Sequence, residues 1–195
     1  SSCSVIIKSK AKEVVFMNEQ EVINRRRNAV VWYENAKIAL TEEEKNNIEI
    51  ADFGLEKIDE VGFQVVTYIN TPRYCGKEML MFPGQICPEH RHPTRKDGSV
   101  GKQETFRCRS GLVYLYVSGE ETPNPKVTPP KGDEKYYTAK HEIILKPGEQ
   151  YTIVPGTLHW FAGGSDGAIV SEFSSNSDDG SDVFTDPRIQ RDPKF

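Results

Sequence analysis

Two periodicities divide the chain. Up to about residue 50, apolar positions Val22, Val30, Tyr33, Ala36 and Leu40 recur near helical spacing, although Arg25-Arg26-Arg27 interrupts the stripe. Thr41 followed by Glu44 has the spacing of a capping box and predicts a short second helix. After Gly54 the period shortens. FQVVTYINT (63–71), KEMLMF (77–82), KQETFRC (102–108), LVYLYV (112–117) and HEIILK (141–146) are alternating or β-branched runs, and QYTIV, HWFAG and AIVSEFS continue them to residue 174. Turn chemistry separates the runs at Pro83-Gly84, Asp97-Gly98, Ser110-Gly111, Pro147-Gly148 and Pro155-Gly156. The longest interruption, GEETPNPKVTPPKGDEK (119–135), is proline-rich and reads as an extended surface excursion. Many short strands with no helices between them predict a sandwich or barrel and argue against a doubly wound α/β sheet.

Composition narrows the class. The 195 residues are long enough to bury a sizeable core as one domain. We expect a leader of unassigned role over 1–16 and a single domain over 17–195, with a helical segment at about 19–50 and a β-barrel at about 60–175. Net charge is −4, and acidic residues surround the only basic triplet, so no electrostatic footprint for nucleic acid or an anionic membrane is present. Cys3, Cys75, Cys87 and Cys108 show no CxxC pairing, which removes zinc-finger and thioredoxin readings. No apolar run reaches the roughly 18–20 residues that span a bilayer, and the opening residues lack a signal peptide's apolar core. Reduced thiols and a cytoplasmic location are the expectation.

The candidate chemistry lies in the histidines. Two of the four, His90 and His92, stand two residues apart in CPEHRHP, so in a strand both imidazoles share one face. Glu104 begins the next extended run and shares a face with Lys102 and Phe106. His159 follows the Pro155-Gly156 turn at the start of another strand. Three imidazoles and one carboxylate suit a first-row divalent ion and leave positions for substrate. The fourth histidine, His141, reads as structural or as support for the site.

These segments carry a resemblance. His90, His92 and Glu104, with Gly111 after six intervening residues, look like the first motif of the cupin superfamily; Gly148 through Pro155, Gly156 and His159 resemble its second. The eleven residues between His92 and Glu104 exceed the usual spacing and point to one branch. From about Ile23 to Arg188 the chain is similar to the D-lyxose isomerases, through DFGLEKIDEVGFQVVTYINTPRYCGKEMLMFPGQICPEHRHP, GKQETFRCRSGLVYLYVSGE, HEIILKPGEQYTIVPGTLHWFAGG and FTDPRI. That resemblance implies a mainly β cupin double-stranded β-helix, a jelly-roll barrel with N-terminal helices. It implies Mn2+, or Co2+ or another first-row divalent ion, on His90, His92, Glu104 and His159. It also implies a homodimer, a small sugar as ligand, and interconversion of D-lyxose with D-xylulose and of D-mannose with D-fructose.

An aldose–ketose isomerase moves a hydrogen between C1 and C2, so a base is required unless the hydrogen moves as hydride. Lys102, beside Glu104 on the ligand face, is the first candidate; burial and a nearby dication would lower its pKa. Glu172, charged within the apolar run AIVSEFS, is the second. Lys77, Asp182, Asp186 and Arg188 are weaker candidates for holding hydroxyls or closing the pocket. Tyr114, Tyr116 and Phe161 read as core aromatics. Three alternatives stay open: a cupin phosphosugar isomerase, for which Arg91 and Arg95 could supply a phosphate clamp although alternation points Arg91 away; an iron-dependent cupin dioxygenase; and a non-catalytic sugar-binding cupin.

Overall fold

The computed structural model describes residues 17–191, so the expectation for 1–16, Cys3 included, lies outside the described residues. The N-terminal helix α1 (Glu19–Asn35) starts at a capping box. The Asn18 side chain accepts from the Glu21 amide, and Glu21 accepts from the Asn18 amide. The predicted box at Thr41 and Glu44 opens α2 (Glu42–Asn46) in the same way. Lys37, at φ 61°, ends the first helix. Helix does not run to residue 50: Glu49–Ala51 is already a strand, β1, whose Ile50 is buried against α1.

Among the described residues, nine strands form one curled sheet. After β1 come β2 (Phe63–Asn70), β3 (Cys75–Met81), β4 (Ile86–Arg91), β5 (Glu104–Val117), β6 (His141–Leu145), β7 (Gln150–Ile153), β8 (His159–Ser174) and β9 (Val183–Phe184). The two longest strands, β5 and β8, pair antiparallel along their whole lengths. On the far edge of β5 lie β7 and then β6; on the far edge of β8 lie β4 and then β3. Two long strands, each flanked by two shorter ones, wind the sheet into a double-stranded β-helix.

The separate runs expected at 102–108 and 112–117 are one strand, and so are those at 159–163 and 168–174. The Gly between each pair marks a bulge and not a turn. Register shifts fall at Cys108/Ser110 and Gly111/Val113. Gly111 sits at φ 73°, where a Cβ would stand 2.0 Å from the Gly167 carbonyl oxygen. A bulge and a tight turn both need a residue at positive φ, so glycine signals either.

Apolar alternation fills the interior of the barrel with Phe63, Val65, Met79, Met81, Phe106, Leu115, Phe161 and Val170. On the outside, α1 covers Leu80, Val66 and Ile169 through Ala29 and Tyr33, so β3 is buried on both faces. The Tyr33 hydroxyl reaches the Gln64 and Glu78 carbonyls, 3.0 Å from each. The proline-rich excursion lies over a third cluster in which Tyr116 and Trp160 stack at 3.9 Å. Tyr116 and Phe161 are core aromatics as expected, while Tyr114 is half-buried at the edge of that cluster. No helix among the described residues is long and apolar enough to cross a membrane.

Candidate metal centre

β4, β5 and β8 meet at one end of the barrel and bring four side chains together. His90 pairs directly with His159 across β4 and β8. Glu104 is the first residue of β5, and His92 follows β4 by one residue while keeping the strand's alternation. One ligand atom from each of His90, His92, Glu104 and His159 lies within 4.8 Å of all the others, and all four residues are buried.

Each imidazole is turned by its Nδ1. In His90 and His159 the ring donates from Nδ1 to the carbonyl two residues upstream, Pro88 and Thr157, at 2.9 Å in both. His92 Nδ1 is 2.5 Å from Asp182 Oδ1. With Nδ1–H spent on a carbonyl, Nε2 of His90 and of His159 carries the lone pair and faces inward; His92 turns the same nitrogen inward and offers its lone pair once a metal ion displaces the proton. That arrangement matches the carboxylate–histidine support typical of metal sites.

A cation fits this set. His159 Nε2 is buried without a hydrogen-bond partner, although it stands 2.9 Å from Glu104 Oε1. The approach lacks hydrogen-bond geometry, and two lone pairs at that distance repel unless a positive charge sits between them. Glu104 Oε1 also meets His92 Nε2 at 3.1 Å, while Oε2 is held by Lys102 Nζ at 2.7 Å. The group could therefore hold one divalent metal ion, with ligand chemistry of the nitrogen–oxygen type.

The titration of these groups follows their neighbours. Burial, then His159 and His92, push His90 well below the ordinary imidazole value. Burial also opposes charge on His92, but the Glu104 and Asp182 carboxylates outweigh it and raise the ring to about 9. Lys102 departs from the expected lowering. Burial does act downward, yet Glu104, Glu172 and Asp182 overcome it and hold the ammonium well above its usual pKa. Glu172 Oε1 completes the clamp at 3.1 Å from Lys102 Nζ.

His90 and Glu104, with Lys102 and Glu172, form one wall of a cavity. Lys102, Glu172, Lys77 and Asp182 all border it, as the sequence suggested. Asp182 is committed to His92. Asp186 and Arg188 do not line it; Arg188, half exposed, binds both Asp186 and Asp133. His141 is on the surface, bonded to the Glu120 carbonyl. Arg91 points to solvent, and Arg95 donates to the Asn176 carbonyl, so neither serves the cavity. Asp179, Arg191, Cys87 and the rings of Phe53, Phe63 and Phe184 also line it and escaped the sequence reading. Phe53 belongs to a loop, and Asp179, Phe184 and Arg191 to the segment after β8, where no periodicity marks an inward face.

A double-stranded β-helix that gathers three histidines and a glutamate at one end of its barrel defines a cupin with a candidate divalent-metal centre. Residues 31–195 match the D-lyxose isomerase family model; the chain belongs to that family and is an isomerase. It is 66% identical over 160 residues to a D-lyxose/D-mannose isomerase of Thermosediminibacter oceani, covering 82% of this chain and 88% of that one. It is 55% identical over 180 residues to a D-lyxose ketol-isomerase of a Thermofilum species, covering 92% and 99%. Among solved structures, L-ribose isomerase of Cellulomonas parahominis with L-ribose superposes at a TM-score of 0.75 and 17% identity, over 91% of this chain and 96% of that one. That likeness is one of fold.

Proposed function

We propose that the protein interconverts D-lyxose and D-xylulose, and D-mannose and D-fructose, using Mn2+ held by His90, His92, Glu104 and His159. The single observation that carries this reading is the set of converging Nε2 and carboxylate atoms, with the unpartnered His159 nitrogen among them. When bound, the ion supplies Lewis-acid stabilisation of the negative charge that develops across the two adjacent sugar oxygens.

The chain's own residues carry the proton. Glu172 is the base that takes the C2 hydrogen of the aldose as a proton and returns it to C1. The proton lost from the C2 hydroxyl returns to the Lys102 amine after its ammonium has given one to the former carbonyl oxygen, so both groups end the cycle as they began. Lys102, an ammonium clamped between Glu104 and Glu172, is positioned to supply the carbonyl oxygen's proton and to hold Glu104 by one oxygen. Lys102 is therefore reassigned from base to acid: a nitrogen between two carboxylates has no lone pair to offer. Phe63, Phe106 and Phe161 exclude water from this end of the cavity and face the sugar's C–H surface.

The phosphosugar alternative loses its support, since Arg91 and Arg95 both lie off the cavity. The test is incubation with free D-lyxose and Mn2+ under nitrogen, followed by 13C NMR. D-xylulose should accumulate to equilibrium. Unchanged lyxose alongside turnover of a sugar phosphate, or oxygen uptake in air, would remove the proposal.

A further inference from the structure

We propose that Asp179 reads the end of the sugar remote from the metal, its carboxylate accepting a hydrogen bond from a distal hydroxyl. This rests on the isomerase reading of the cavity and extends it to substrate selection. The cavity has two charged ends. One is His90 and Glu104 of the candidate metal centre; the other consists of Lys77 from β3, Asp179 from the turn after β8, and Arg191 from the end of the described chain. Lys102 and Glu172 lie between them.

The far end is built around Asp179. Lys77 Nζ stands 3.2 and 3.3 Å from its two oxygens, Arg191 Nη2 donates to Oδ2 at 2.9 Å, and the Ser177 hydroxyl donates to Oδ1 at 2.7 Å. Arg191 is bound in turn to Glu49. Signs thus alternate from Glu104 through Lys102, Glu172, Lys77, Asp179 and Arg191 to Glu49. Burial would raise the Asp179 carboxyl, but Lys77 and Arg191 pull it well below the ordinary range.

Stability alone gives little reason to order such groups here, because buried ion pairs seldom outperform apolar packing of the same volume. Three charged residues from separate elements converge on a cavity whose other faces are the rings of Phe53, Phe63 and Phe184. The Asp179 side chain keeps 26% of its surface accessible, and its four donor contacts come from Lys77, Arg191 and Ser177, so a sugar hydroxyl would take the place of the Ser177 hydroxyl or share an oxygen with Lys77. A carboxylate accepts strongly from a hydroxyl, and the rings suit the C–H face of the same molecule. Both cations are already paired with Asp179 and Glu49, so this end offers no free positive charge to a phosphate dianion. The ligand class is a neutral polyhydroxy chain with a free hydroxyl at C4 or C5.

The experiment is a substrate–variant cycle with the Mn2+-loaded protein. Wild type and Asp179→Asn are each given D-lyxose and its 4-deoxy and 5-deoxy analogues, with turnover and calorimetric binding measured separately. Wild type should lose about ten- to hundredfold in kcat/KM and in affinity for one analogue. Asp179→Asn should lose a similar factor on D-lyxose, discriminate less than about threefold against that analogue, and keep its metal content. Equal discrimination by the two proteins, or none by wild type, overturns the assignment. If Asp179→Asn does not fold, Asp179→Ser is held to the same expectation. Discriminating binding without turnover would overturn the isomerase reading and leave the subsite standing; turnover with unaltered discrimination in the variant would do the reverse.

Discussion

Removing Asp182 should loosen the metal without touching a metal ligand. The carboxylate sits 2.5 Å from His92 Nδ1, with both side chains almost wholly buried. In Asp182→Ala the ring loses its charge-assisted partner and keeps a buried N–H that must be satisfied elsewhere. An orphaned buried donor costs about 1–3 kcal/mol. Loss of a carboxylate behind a ligating histidine typically weakens metal binding about 10- to 100-fold, or about 1.4–2.7 kcal/mol. Mn2+ affinity should therefore fall by about that factor. Asp182→Asn retains an acceptor without charge and should cost about half as much in free energy. The assay is titration of chelator-stripped protein with Mn2+, reading free ion by its electron paramagnetic resonance signal, with circular dichroism as the control for folding. At saturating metal, KM for the sugar should move little. If folded Asp182→Ala binds Mn2+ as tightly as wild type, the orientation of Nε2 through Nδ1 is not what holds the site.

Three further outcomes follow from the same contacts. Glu104→Gln should lose both bound metal, by elemental analysis, and turnover, because the amide cannot supply the charge at the centre of the cluster. Lys102→Met and Glu172→Gln should each retain a full complement of metal and lose about 10²–10⁴ in kcat; wild-type rates in both would discard the proton-transfer roles. Tyr33→Phe removes a hydroxyl buried between the Gln64 and Glu78 carbonyls. It should cost about 1–2 kcal/mol, seen as a drop of about 2–8 °C in Tm, with kcat unchanged.

The candidate ligands were legible because strand geometry is local. Alternation puts His90 and His92 on one side whatever the rest of the chain does, and a turn before His159 or a polar run before Glu104 fixes where the next strand begins. The β-rich fold was legible for the same reason. What periodicity could not convey was continuity: Ser110-Gly111 reads as a break and HWFAG and AIVSEFS as separate runs, yet β5 and β8 pass through as bulged strands. Nor could it reveal the residues that serve the site from irregular segments. Asp179, Asp182 and Arg191 lie 75–87 residues beyond Glu104 in number, and only the pairing of β3, β4 and β5 with β8 brings the chain after Ser174 back to the cavity mouth. Sequence alternation puts Lys102 beside Glu104, but it does not show the carboxylates that raise its pKa in the fold. Its neighbour Glu104 was visible in sequence, but Glu172 became its second partner only through the fold.

The most direct test of the central claim is a metal titration of activity. Protein stripped exhaustively of metal, and verified so by elemental analysis, is given free D-lyxose under nitrogen with rising Mn2+. Ketose formation should be absent at the start and rise linearly to a break at one ion per chain. Turnover by the stripped protein at the rate of the loaded one would contradict the account.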